Sequence, residues 1–75
     1  MRRYYFDTQN GDGLTVDEEG VEFPDLHAAK QEAALALADM MLDISLNPAK
    51  ISVEVRDDAG IVMRARVVFD IDRTD

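Results

Sequence analysis

The chain has no cysteine, one histidine, two prolines and four glycines in 75 residues. Without cysteine there is no disulfide, no thiolate nucleophile and no sulfur-rich metal site. With His27 alone, a multi-histidine site within one chain is excluded too. No stretch approaches the roughly 20 apolar residues that span a membrane. The start, Met1-Arg2-Arg3-Tyr4-Tyr5-Phe6-Asp7, is basic but has no apolar run behind it, so it does not read as a secretory leader. A soluble cytoplasmic protein is the expectation. Basic residues are also scarce, 8 against 16 acidic, for a net charge of −8. Most of such a surface repels duplex nucleic acid, and no nucleic-acid or membrane partner is expected.

The acidic excess is uneven. Between Arg3 and Lys30 no basic residue occurs, while Asp7, Asp12, Asp17, Glu18, Glu19, Glu22 and Asp25 all do. One reading is a solvated region that keeps a small protein soluble. The other is a docking surface for a basic partner, as in an acidic antitoxin-like or inhibitor protein.

What is present is a repeated pattern. Residues 1–75 make one domain, which buries only about 60–65% of its unfolded surface and so has a thin core. Two segments of alternating apolar residues flank Gln9-Asn10-Gly11, and two more flank Asp58-Ala59-Gly60. A period of two indicates half-buried strands. In the first pair, a three-residue loop with Thr8 opposite Asp12 sets Phe6 against Leu14 and Tyr4 against Val16. All four then share one face, with Gly11 in the left-handed conformation. In the second pair, Asp57 opposite Ile61 sets Val55 against Met63, Val53 against Ala65 and Ile51 against Val67. Glu54 then meets Arg64 on the other face. Gly60 takes the position that needs positive φ, and the last strand runs on through Phe69 and Ile71.

Between the hairpins, residues 17–20 read as a turn, and Val21 and Phe23 pack near a helix start. Asp25 is the expected N-cap, and the helix runs from Leu26 to about Ile44, closed by Asn47-Pro48. Leu26, Ala29, Ala33, Ala36, Leu37, Met40 and Ile44 share its core face. The fold class is therefore α+β in the order ββαββ, with one helix on one face of a four-stranded antiparallel sheet. Tyr4, Phe6, Val53 and Phe69 belong to the interior. Leu35, Ala38 and Leu42 lie on the helix back, either as scattered exposed apolar residues or as a partner-binding face, most simply for a homodimer.

No motif carries chemistry. The stretch from Thr8 to Glu19 matches the calcium loop of the EF-hand at Asn10, Asp12, Gly13 and Glu19. It lacks the leading carboxylate and is flanked by strands, not helices. The carboxylate pairs fall in turns, where water solvates them. Ser45, Ser52 and His27 form no nucleophilic set, and there is no glycine-rich phosphate loop. Neither enzymatic activity nor a metal or cofactor is expected. Arg56, Arg64 and Arg66 project from the helix-free face with Tyr5, Glu54 and Asp70. That mixture reads as cross-strand ion pairing or, against the overall charge, as a single-stranded nucleic-acid platform.

The blocks Arg3-Tyr4-Tyr5-Phe6-Asp7 and Asp17-Glu18-Glu19-Gly20-Val21-Glu22-Phe23-Pro24-Asp25-Leu26, followed by an alanine-rich helix, resemble a family of short alphaproteobacterial proteins. That family is common in rhizobia and is classed as a domain of unknown function. The resemblance implies a bacterial cytoplasmic protein and assigns no activity or site residue. A looser likeness, through Pro24-Asp25-Leu26, is to the HicB-type antitoxin domain. The second hairpin and the lack of an appended DNA-binding segment set the two apart.

Overall fold

The computed structural model describes residues 1–11, 13–42, 49–69 and 72. Asp12, Ile44, Asn47, Pro48, Asp70, Ile71 and the side chain of Phe69 lie outside that description. The elements run β1 (Arg2–Asn10), β2 (Gly13–Thr15), β3 (Val21–Phe23), α1 (Leu26–Leu42), β4 (Ala49–Asp57) and β5 (Gly60–Phe69). All strand pairs are antiparallel, in the order β2-β1-β4-β5, with β3 also on β1. The class is α+β, as expected. The sheet has five strands, not four, because Val21–Phe23 pairs with Arg2–Tyr4.

Asp25 caps the helix as its position requires. Its Oδ1 accepts from the Ala28 amide at 2.9 Å. Ala29, Ala33 and Leu37 are buried, and the two alanines let the helix approach the sheet closely. Beneath them lie Tyr4, Ile51, Val53 and Val55, with Phe6, Phe23, Met40, Met63, Ala65 and Val67 packed around. The Phe23 ring meets Phe6 edge-on at 5.9 Å and Tyr4 at 6.4 Å. Leu26, placed on the core face by projection, is exposed at the helix start.

The second hairpin keeps the expected pairs Val55–Met63, Val53–Ala65, Ile51–Val67 and Glu54–Arg64. Only its tip differs. Asp57 faces Gly60, not Ile61, and a bulge between Val55 and Arg56 absorbs the extra residue. Gly60 takes positive φ, at 131°.

The first hairpin departs further. Thr8 faces Thr15 and Gln9 faces Leu14, so neither Phe6–Leu14 nor Tyr4–Val16 forms. Leu14 sits on the helix-free side, 63% exposed, and Val16 is 51% exposed. Positive φ falls on Gly13, not Gly11. The physical reason is that parity acts through burial. All three residues of β2 are exposed, so nothing penalises the other register.

Candidate functional site

Two surfaces carry the residues with potential roles. The first is the helix-free face of the sheet, where the register aligns Tyr5 with Arg56 and sets Asp7, Glu54 and Arg64 in one row. Here the chain solves a problem of its own making. After β2 it returns along β1, taking six steps from Thr15 to Val21 while β1 takes four from Thr8 to Tyr4. Two residues loop out, and the ladder breaks beside Phe6. Asp17 fills the break with its side chain. Its Oδ2 accepts from the Phe6 amide at 3.1 Å, and its Oδ1 accepts from the amides of Glu19 and Gly20 at 3.1 and 3.0 Å. The Asp17 amide donates to Asp7 Oδ1 at 2.9 Å.

Arg56 ties this corner to the sheet. Its Nε donates to Asp7 Oδ2 at 2.8 Å and its Nη2 to the Asp17 carbonyl at 2.8 Å, while its guanidinium lies 4.6 Å from the Tyr5 ring centroid. Asp7 is buried, yet its carboxyl sits below the ordinary carboxylate range, because the Arg56 hydrogen bond outweighs desolvation. Desolvation is the largest single influence on Asp17 and pushes it up. The amides of Gly20, Phe6 and Glu19, with Arg56, more than reverse that, so it too lies low. Arg56 is held above its usual value by Asp7. Both carboxylates are therefore ionised at neutral pH, and all four of their oxygens accept hydrogen bonds from the chain. The arrangement ties the 17–20 turn to β1 and β4.

Sequence reasoning did not anticipate this cluster, because it treated Asp7 and Asp17 as solvated members of an acidic run. A signal existed: Asp7 alternates onto the same face as Tyr5 and Arg56. The Glu54–Arg64 ion pair, anticipated from register, forms at 2.8 Å. Among the described residues no group of three or more potential ligands is placed to hold a metal ion. Among them, too, no helix is long and apolar enough to cross a membrane.

The second surface is the helix back. Leu35 and Leu42 are 61% and 84% exposed, and Ala38 between them is exposed as well. Their spacing of three and four residues aligns them on the side opposite Ala29, Ala33 and Leu37.

No curated protein and no solved structure matches the chain. A family model does, over residues 3–68, which contain the whole helix and all of the strands but Arg2 and Phe69. The chain therefore belongs to the family described as a domain of unknown function, DUF6894.

Proposed function

We propose that this domain is a non-catalytic protein-interaction module of a bacterial cytoplasm, homodimeric through the helix face of Leu35, Ala38 and Leu42. The observation that carries this reading is the exposure of two leucines on one helix face, at 61% and 84%. Their transfer from water onto a partner contributes up to about 1.5–3 kcal/mol each. A second copy is the simplest partner, since an isologous contact needs only one such face. It would also thicken a core whose fully buried side chains larger than alanine, among the described residues, are Tyr4, Val53 and Val55. Light scattering at micromolar concentration should give a mass above that of one chain, and Leu35→Glu with Leu42→Glu should lower it. An unchanged mass in the double variant removes the helix face from the interaction.

A second reading, an acidic inhibitor of a basic protein, is favoured by the exposure of Glu18, Glu19 and Glu22 along one edge. It requires a basic partner that a lysate pull-down retains at low salt and releases at high salt. Failure to recover any basic protein would count against it.

A further inference from the structure

The cations of this chain are not neutralised evenly. Arg2, Arg3, Arg56 and Arg64 each pair with a carboxylate. Lys50 and Arg66 make no ion pair among the described residues, yet they lie side by side on the helix-free face. The register sets Gln9 opposite Ser52 and Ser52 opposite Arg66, one row across β1, β4 and β5. The next row on that face is Lys50 with Val68. Lys50 and Arg66 are therefore diagonal neighbours, with backbones about 7–8 Å apart. Both are exposed, and both line one hollow of about 690 Å³ with Gln9, Ser52, Glu54 and Arg64. Among the described residues that line it, Glu54 is the one carboxylate, and it is taken by Arg64 at 2.8 Å. A chain of net charge −8 thus carries a hollow whose unspent charge is positive.

We propose that this hollow binds the phosphate group of a small phosphorylated molecule. Like charges at neighbouring cross-strand positions repel, and a bound anion removes that repulsion. The donors decide which anion. Arg66 offers a planar fork and Lys50 an ammonium, while Ser52 adds a hydroxyl and Gln9 an amide. A carboxylate sets two oxygens and one charge against them. A phosphate monoester sets three terminal oxygens and a charge of about −1.5 to −2 at pH 7, which balances two cations. From a diagonal of about 7–8 Å, two such long side chains can meet on a single tetrahedral group.

The volume falls within the roughly 300–1,000 Å³ of small-molecule sites. A polyanion would extend past the two cations onto an acidic surface that repels it. The exposed acids near β3 do not block a small ligand. Glu22 pairs with Arg3, six residues along β1 from Gln9, which is about 20 Å away at the rise of a strand. At physiological salt the Debye length is about 8 Å, so exposed charges that distant are screened. The site uses neither Leu35 nor Leu42 and goes beyond the helix-face reading.

The test is an amide NMR titration of the full chain with inorganic phosphate, and then with glycerol phosphate, at constant ionic strength. Saturable shifts centred on Lys50, Ser52 and Arg66 are expected. Lys50→Gln and Arg66→Gln should each weaken binding roughly tenfold. Arg66→Lys, which keeps the charge and loses the fork, should fall between wild type and Arg66→Gln. Lys30→Gln removes the unpaired cation of the helix and should leave the affinity unchanged. The spectrum of each variant shows directly that it is folded. No saturable shift in the millimolar range overturns the site, as does an equal response to sodium chloride or an equal loss in Lys30→Gln. Tighter binding of succinate would overturn the choice of phosphate. Tighter binding of a single-stranded oligonucleotide would overturn the choice of a small molecule. The helix-face reading fails separately, through the mass of the leucine double variant.

Discussion

Asp17 is the residue on which the strand break depends, and replacing it measures how much. Its carboxylate accepts from three backbone amides, those of Phe6, Glu19 and Gly20. The Asp17→Asn variant keeps one acceptor oxygen. If that oxygen retains the Glu19 and Gly20 amides, an NH₂ group is left facing the Phe6 amide. Phe6 is half-buried between strands, so its amide then lacks both partner and water, at a cost of about 1–3 kcal/mol. Asp17→Ala removes all three acceptors. Glu19 is exposed and regains water, so the total should be about 3–4 kcal/mol, not three full penalties. In a domain this small, each kcal/mol lowers Tm by about 4–8 °C.

The cost should also depend on pH, and the sign follows from the direction of the shift. The native carboxyl of Asp17 titrates below its ordinary value of 3.8. Its contribution is therefore complete above that value and is lost as pH falls through the lower native one. Urea unfolding at pH 7 should separate wild type from Asp17→Asn by the amount given, and the gap should narrow below pH 3.8. Hydrogen exchange should show the Phe6 amide losing protection in both variants. A penalty below about 0.5 kcal/mol, or a gap that persists undiminished in acid, would refute the assignment of this carboxylate as the bridge across the break.

Gly20→Ala should cost about 2–3 kcal/mol in urea melts, because φ is 73° and an added Cβ would lie 2.9 Å from Arg3 Cγ and 3.0 Å from the Tyr4 carbonyl oxygen. A smaller loss would mean that the turn relaxes. Asp25→Ala removes the helix cap and should cost about 1 kcal/mol, visible as a fall in Tm of several degrees.

Much of the fold was legible because one face of each long strand is buried under the helix. In the second hairpin Ile51, Val53 and Val55 are all buried, so a slip by one would exchange them for Ser52, Glu54 and Arg56. That large penalty is what made the register readable. In the first hairpin the same rule gave the wrong answer at Leu14 and Val16. Those residues lie off the helix's footprint, so a pattern of alternation there has no dry side to refer to. The extra strand β3 was hidden for a related reason. Val-Glu-Phe is three residues long, too short for a period to register. What holds it is specific: Arg3 donates to the Glu19 carbonyl at 2.8 Å and pairs with Glu22 at 3.2 Å.

The internal network also engages most of the described cations. Asp7, Asp17, Arg56 and the Tyr5 ring are all engaged with one another or with local backbone. Arg2, Arg3 and Arg64 are matched to Asp57, Glu22 and Glu54. Among the described cations Lys30, Lys50 and Arg66 remain without an ion pair, and two of these, Lys50 and Arg66, lie diagonally across β4 and β5 on the helix-free face. The apolar counterpart of that remainder is the helix back. There Leu35 and Leu42, at 61% and 84% exposure, are the side chains on which the proposed homodimer rests.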